Sequence, residues 1–119
     1  MKNSKYQKEY TKIGRMVYFT LRMRTDSISD VGSGTIKITG LPYTHINSTH
    51  HRAVTHNIYS AGWTSDDAPT LALFIHNTSS FQLYQKDYNE DSSSLASSSF
   101  NTGANDNDVR ITGFYESTT

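Results

Sequence analysis

The chain lacks several features that would assign it to a familiar class of protein. It has no cysteine, so no disulfide stabilises it and it is not a disulfide-rich secreted domain. Its 11 basic and 11 acidic residues give a formal net charge of zero, so we expect no nucleic-acid partner. No apolar run approaches the length of a membrane span, and residues 1–9 lack the apolar segment of a signal peptide. These absences predict a soluble protein that is made in a cytoplasm, without membrane insertion.

The apolar share of the sequence is also low, at 34%. Such a composition can indicate disorder, but aromatic residues make up 12% of the chain and the strand patterns are clear. Short strands joined by loops rich in Ser, Thr and Asn are typical of β-sandwiches. We assign residues 10–119 to a single β-sandwich domain and residues 1–9 to an N-terminal arm or linker. The alternative for the arm is a short first strand that ends at Tyr10.

The clearest strand pattern runs from Arg15 to Arg24, where apolar residues alternate with polar or amphipathic ones. A period of two indicates a strand because successive side chains point to opposite faces. One face carries Val17, Phe19, Leu21 and Met23, and the other carries Met16, Tyr18, Thr20, Arg22 and Arg24. On the second face, Met16, Tyr18 and Arg22 are candidates for contacts with a neighbouring chain. The alternative is that these side chains only cover the sheet surface.

The rest of the chain predicts an antiparallel arrangement of short strands. Residues 35–39 are expected to form a hairpin with the first strand. This partner strand ends at Gly40-Leu41-Pro42 because proline lacks the amide that a ladder needs. Residues 70–77 are nearly all apolar, as in a strand buried on both faces, and residues 81–88 are predicted to pair with them as a second hairpin. Further strands are predicted over residues 53–60 and 109–115.

Three motifs give the chain a family resemblance. The sequence YTKIGRMVYF of residues 10–19, followed by a Gly-Ser loop and TIKITGLPY at residues 35–43, resembles the pattern Y-x-K-I-G-x-x-V and then G-x-(L/I)-x-I-x-G-L-P-(F/Y). The closing VRITGFYES of residues 109–117 resembles a final strand of the form I-x-(I/F)-x-G-x-Y. In this order and spacing, the motifs resemble the carboxyl-terminal β-sandwich module of bacteriophage tail fibres, tailspikes and related virion proteins.

The resemblance implies an antiparallel, jelly-roll-like β-sandwich that assembles as a homotrimer at the distal end of a fibre. It implies a location in the virion, with contacts to other virion proteins. The implied role is non-catalytic, because such a module trimerises and contributes to binding of carbohydrate on the host surface. A purely structural virion protein, such as a head decoration or a fibre-tip cap, is the first alternative, and a small polysaccharide hydrolase is the second.

Aromatic and polar residues near loops are the candidates for carbohydrate contact. Sugar faces stack on Trp or Tyr rings, while carboxylates, amides and arginines bind the sugar hydroxyls. The candidate ligand-binding residues are Trp63, Asp66, Asp67, Tyr59, Tyr84 and Tyr88. For Trp63, the sole tryptophan, the alternative is that its ring closes the end of the core. Tyr43 follows the Gly-Leu-Pro turn and is expected to be structural.

Histidines and acidic pairs give weaker signals for metal binding or catalysis. The five histidines include no His-x-His pair, so we expect loop and surface residues without a metal site. Acidic residues cluster in turn-like segments, where turn geometry alone favours Asp and Asn. These segments are Asp66-Asp67, Glu90-Asp91 and Asp106-Asn107-Asp108. Glycoside hydrolysis would need two carboxylates at a suitable separation. We therefore predict no catalytic residue, no metal and no cofactor.

Overall fold

The computed structural model describes residues 4–48, 54–55, 57–64, 68–86 and 91–119, with the backbone alone for residues 4–6, 54 and 55. Over these residues the chain is all-β. Its strands are β1 (Ser4–Ile13), β2 (Met16–Thr25), β3 (Lys37–Thr39), β4 (Val54–Thr55), β5 (Ile58–Ala61), β6 (Leu71–Phe74), β7 (Ser80–Gln85), β8 (Ser93–Ser94) and β9 (Asp106–Glu116). A short 3-10 turn, Ser97–Ser99, precedes β9. Nowhere in the described ranges is there a helix with the length and apolar character needed to cross a membrane.

The first sheet has four antiparallel strands in the order β1-β2-β9-β5. β2 pairs over its whole length with β1 and over most of its length with β9. The predicted alternation of β2 is confirmed, because one of its faces packs against the core through Val17, Phe19, Leu21 and Met23. Residues 4–9, assigned from the sequence to an arm, form the first part of β1.

The second sheet has the order β3-β7-β6-β4, and β8 pairs with the last residues of β7. β6 and β7 form the predicted hairpin, with Leu71 opposite Tyr84 and Phe74 opposite Phe81. Leu71, Ala72 and Phe74 are buried, so both faces of β6 are largely covered, as the apolar run predicts. The two sheets pack face to face, which confirms the all-β, antiparallel sandwich.

The expected hairpin between β2 and residues 35–39 is wrong. β3 pairs instead with β7 in the second sheet, with Ile38 opposite Phe81. Both edges of β2 are occupied by β1 and β9, whose long ladders satisfy its backbone hydrogen-bonding groups. The connection after β2 therefore crosses to the other sheet, where Ile36 and Ile38 join the core. β3 ends at Thr39, just before the Gly-Leu-Pro turn, as predicted.

The single strand predicted over residues 53–60 is divided in two. β4 pairs with β6 in the second sheet, and β5 pairs with β9 in the first. The chain therefore crosses between the sheets within this short segment. Because β4 and β5 are each the last strand of their sheet, the segment closes one side of the sandwich.

An aromatic cluster fills the space between the sheets. The ring centre of Phe74 lies 5.7 Å from that of Phe19 and 5.1 Å from that of Tyr115. His45 is fully buried among them, with its imidazole stacked on Phe74 at 5.7 Å and an interplanar angle of 3°. Its Nδ1 lies 2.9 Å from the carbonyl oxygen of Ile46. The expectation of a surface histidine is wrong for His45, because its ring packs like an aromatic one while Nδ1 keeps a backbone partner.

Candidate functional site

The outer face of the first sheet is the surface that best fits a binding role. It is the face of β1, β2, β9 and β5 that points away from the core. Directly opposite residues on neighbouring strands share a face, so the register defines cross-strand rows. The rows are Ile13, Met16 and Glu116; Thr11, Tyr18 and Phe114; Glu9, Thr20 and Thr112; and Gln7, Arg22, Arg110 and Tyr59.

The first two rows contain an apolar end, which consists of Ile13, Met16, Tyr18 and Phe114. Ile13 is 66% exposed, Phe114 is 57% exposed and Tyr18 is 45% exposed. Tyr18 and Phe114 face each other across β2 and β9, with ring centres 6.0 Å apart. Contiguous exposed apolar groups mark interaction surfaces in soluble proteins. The apolar end thus contains Met16 and Tyr18, two of the three residues predicted to contact a neighbouring chain.

The last row, with Asp108 beside it, forms a polar end that consists of Arg22, Tyr59, Asp108 and Arg110. Arg22 donates to both carboxylate oxygens of Asp108, from Nε at 3.3 Å and from Nη2 at 3.1 Å. Nη2 of Arg110 lies 3.5 Å from the same carboxylate. The guanidinium carbon of Arg110 is 4.9 Å from the centre of the Tyr59 ring, a cation–π distance. Arg22 is the third residue predicted to contact a neighbouring chain. It lies in the polar end, about 13 Å along β2 from Tyr18 in the apolar end.

The electrostatics of the polar end depend on Asp108. Burial acts to raise the pKa of this carboxyl, but the hydrogen bond and charge of Arg22, with the charge of Arg110, outweigh burial and hold the pKa below its ordinary value of 3.8. The same hydrogen bond raises the pKa of the Arg22 guanidinium. At neutral pH two positive groups therefore share one negative group, and the polar end carries a net positive charge.

A shallow, open depression of about 550 Å³ lies at the polar end. Besides Arg22, Tyr59 and Arg110, its lining includes Gln7, Glu9, Thr20, Asn57 and Thr112. An aromatic ring, guanidinium groups, hydroxyls and amides on one surface are the groups that bind sugar rings and their hydroxyls. The depression is therefore the candidate ligand site of the described structure.

Trp63 lies in the core and not on the outer face. Its side chain is buried and stacks on Phe100, with ring centres 5.3 Å apart and an interplanar angle of 22°. Its Nε1 donates to the backbone carbonyl of Asp108 at 3.1 Å. A sugar stacks on an exposed ring face, so this placement favours the alternative in which Trp63 closes the core. The indole instead supports the backbone beneath the polar end.

Tyr59 and Tyr84, the two other predicted ligand residues that the structure describes, lie in different sheets. Tyr59 lies on β5 in the first sheet, whereas Tyr84 is half-buried on β7 in the second, with its hydroxyl 3.4 Å from Oε1 of Gln82. Other predicted residues lie outside the described residues, namely Asp66, Asp67 and Tyr88, as do His50, His51, His56 and Glu90. Within the described part of the chain, no group of three or more His, Asp or Glu side chains is placed to hold a metal ion.

A second cavity, of about 540 Å³, lies between the sheets on the side where β1 and β3 are the edge strands. Apolar core side chains such as Leu21, Met23 and Ile38 line it. Lys8 on β1 donates from Nζ to the carbonyl oxygen of Gly40 at 3.1 Å, which ties the two edges together. The sequence gives no signal for this cavity, because it depends on how far the two sheets separate.

Arg110 and Phe114 are two important residues of this face that the sequence pattern does not single out as site residues. The alternation in VRITGFYE places Val109 and Ile111 on the buried face, and it carries the complementary signal that Arg110, Thr112 and Phe114 face outward. Their importance depends on β9 lying beside β2, which brings Phe114 to Tyr18 and Arg110 to Arg22. No local pattern reveals that pairing.

Comparisons of the chain with protein-family models, with curated proteins and with solved structures find no match. The resemblance of the motifs at residues 10–19, 35–43 and 109–117 to a phage fibre module therefore rests on those residues alone. In the structure the three motifs lie close together, since β1, β2 and β9 are neighbours and Tyr43 bonds to Tyr115.

Proposed function

We propose that this chain is a non-catalytic module of a bacteriophage tail fibre or tailspike, which assembles as a homotrimer and contributes to binding of host surface carbohydrate. The observation that carries the proposal is the outer face of the first sheet. One face of one sheet presents exposed aromatic rings at one end and an aromatic, cationic depression at the other. A surface of this composition suits contacts with both a protein and a sugar.

The apolar end supports self-association. Tyr18 and Phe114 form a pair of exposed rings on the two central strands of the sheet, and Ile13 extends the patch to the edge. Covering the exposed part of each ring contributes roughly 1–2 kcal/mol, so a trimer that covers the pair in every subunit gains several such contributions. In a closed threefold assembly each subunit makes the same contact with its neighbours, so the apolar end is covered in every subunit.

The polar end supports carbohydrate binding. Its side chains are held before a ligand arrives, because Asp108 fixes Arg22 by two hydrogen bonds and Arg110 packs over Tyr59. Groups that are already ordered lose less conformational entropy when they bind. The surrounding amides and hydroxyls of Gln7, Thr20 and Thr112 suit the alternating donors and acceptors of a sugar chain.

The path of the chain supports a jelly-roll arrangement for the sandwich. The connections from β2 to β3 and from β5 to β6 both cross from the first sheet to the second, and the chain returns to the first sheet at β5 and again at β9. β9, which ends this path, lies beside β2, which begins it. Repeated crossing between two sheets is the feature that distinguishes jelly rolls from simple meanders.

The test of assembly is the molar mass in solution, measured by light scattering behind a sizing column over a wide range of concentrations. We expect three times the chain mass of 13.4 kDa at every concentration. Phe114→Ser removes the more exposed ring of the pair and is expected to shift the protein toward monomer. Tyr59→Ser removes an exposed ring from the polar end of the same face and is expected to leave the trimer intact. A monomer at all concentrations for the unaltered chain contradicts the trimer.

The test of carbohydrate binding is an array of immobilised bacterial surface polysaccharides. We expect binding by the unaltered chain and loss of that binding in Tyr59→Ala, with the mass and thermal unfolding of the variant unchanged. A firm trimer that binds no polysaccharide favours the alternative of a purely structural virion protein.

A further inference from the structure

Arg22 and Arg110 lie directly opposite each other on β2 and β9 and share the outer face. Like charges in directly opposite positions of a sheet repel each other. Asp108 lies between them and offsets one of the two charges, with its carboxylate 3.1 Å from Arg22 and 3.5 Å from Arg110. One positive charge of the three groups is left without compensation.

The uncompensated charge faces solvent. The side chain of Asp108 is only 12% exposed, whereas that of Arg110 is 51% exposed. The carboxylate thus lies beneath the two guanidinium groups, on the side toward the sheet. A second anion that approaches from the depression meets the guanidinium groups before it meets Asp108.

Lys8 and Glu9 also line the depression. Lys8 has the same sign of charge as Arg110, and its ammonium group bonds to the carbonyl oxygen of Gly40. Glu9 has the opposite sign, but it is too far away to offset this charge strongly. Glu9 lies on β1, one row from Arg110 and two strands away from it. At about 4.8 Å per strand and about 6.8 Å per row, this places the backbone of Glu9 about 12 Å from that of Arg110, which is beyond the screening length of about 8 Å in physiological salt. Apart from Arg22 and Asp108, Arg110 has uncharged neighbours on the same face, namely Tyr59, directly opposite it on β5, and Thr112, in the next row of β9.

We propose that the depression binds an acidic saccharide, one whose sugar ring carries a carboxylate. This inference rests on the proposed carbohydrate binding and names the class of sugar. The carboxylate of the ligand accepts hydrogen bonds from the guanidinium group of Arg110, on the side that faces solvent. The hydroxyls of the sugar meet Asn57, Thr112 and Thr20, and the exposed ring of Tyr59 borders the site. A free inorganic anion would use the arginine alone and would leave these groups without a role.

The experiment measures binding of matched oligosaccharide pairs by titration calorimetry. The acidic members carry glucuronic, galacturonic or N-acetylneuraminic acid, and each partner is the same oligosaccharide after chemical reduction of its carboxyl group. A charge-assisted hydrogen bond stabilises by about 1.5–3 kcal/mol, so at least one acidic member should bind roughly 10- to 100-fold more tightly than its reduced partner.

Two variants with the same change of charge separate the site from general attraction. Arg110→Gln is expected to remove the preference for the acidic member. Arg24→Gln lies on the same face of β2 but outside the lining of the depression, and it is expected to keep the preference. Thermal unfolding of both variants checks that each remains folded.

The outcomes distinguish this inference from the proposal on which it rests. Equal affinity for acidic and reduced members overturns the acidic saccharide while carbohydrate binding stands. Binding of neither member of any pair, together with an empty polysaccharide array, removes both. An equal loss in Arg24→Gln and Arg110→Gln shows general charge attraction and overturns the site. Full competition by inorganic sulfate at the same concentration also overturns it, because the sugar would then contribute nothing.

Discussion

The hydroxyl group of Tyr115 bonds to both backbone polar groups of Tyr43. It accepts a hydrogen bond from the amide nitrogen at 3.2 Å and donates one to the carbonyl oxygen at 2.8 Å. The ring itself is fully buried in the aromatic cluster, and burial raises the pKa of its hydroxyl. Through this contact the last strand holds the backbone of the residue that follows Gly40-Leu41-Pro42.

Tyr115→Phe is expected to lower the free energy of unfolding by about 1–3 kcal/mol, because it leaves the amide and carbonyl groups of Tyr43 without their buried partner. Urea unfolding followed by circular dichroism measures the change. Tyr18→Phe removes the same atom from an exposed ring on the first sheet and should change stability by less than about 0.5 kcal/mol. Equal effects of the two substitutions would show that the Tyr115 hydroxyl contributes nothing specific.

Gly62→Ala is expected to destabilise the protein more than Gly32→Ala. Both glycines have positive φ, at +76° and +73°, so alanine is strained at either position. At Gly62 an added Cβ also lies 3.1 Å from the amide nitrogen of Asn107, whereas Gly32 is surrounded by open space. We expect a loss of about 1–2 kcal/mol for Gly32→Ala and a further 1–2 kcal/mol for Gly62→Ala. Chemical denaturation of the two variants side by side tests the difference, and indistinguishable midpoints would contradict it.

Asp108 is expected to make stability dependent on pH in the acid range. Because its folded pKa lies below the ordinary value of 3.8, ionisation of Asp108 stabilises the folded state fully above the ordinary value. That contribution is lost as the pH falls through the folded pKa. Asp108→Asn should therefore lower stability by about 1–3 kcal/mol at pH 7.

The difference between the two proteins should become smaller as the pH falls from about 5 to about 2, because Asp108 then becomes protonated in the unaltered chain. Unfolding midpoints across this pH range measure the difference. A difference that stays constant or increases on acidification contradicts this assignment of the low pKa.

Trp63 gives an optical test of its own position. It is the sole tryptophan, so the intrinsic indole fluorescence reports on this one ring. The ring is stacked on Phe100 and buried, so we expect emission at short wavelength, weak quenching by iodide and a shift to longer wavelength on unfolding. A bound polysaccharide should leave the emission nearly unchanged. A large change on ligand addition would instead support direct contact between Trp63 and sugar.

The sequence predicts the fold class because its strongest signals are local. The alternation in β2 specifies which side chains face the core, and the apolar run of residues 71–74 specifies a covered strand. Neither pattern specifies a neighbour. β3 is adjacent to β2 along the chain, yet β2 has its edges filled by β1 and by a strand from the far end of the chain. Which strands pair depends on competition among all the strands of the chain. The spacing of apolar residues within one strand carries no information about that competition.

The sequence also predicts part of the candidate site. Met16, Tyr18 and Arg22 follow from the outward face of β2, and the structure places all three on the outer face of the first sheet. Trp63 is misleading because a lone tryptophan beside a glycine fits a loop as well as a core. For His45 the error is the reverse. The polar segment around it indicates a surface position, but its imidazole is buried against Phe74.

The position of β9 constrains how this protein can fold. Met16 pairs with Glu116 and Val17 pairs with Tyr115, so the central ladder of the first sheet joins residues about a hundred positions apart. Contacts this distant along the chain close slowly and form late, because a long loop must be ordered before they stabilise anything. Until residues 106–116 have been synthesised, the edge of β2 that β9 covers in the folded protein has no partner strand from this part of the chain. Premature termination before β9 therefore leaves an exposed, aggregation-prone edge instead of a smaller stable domain.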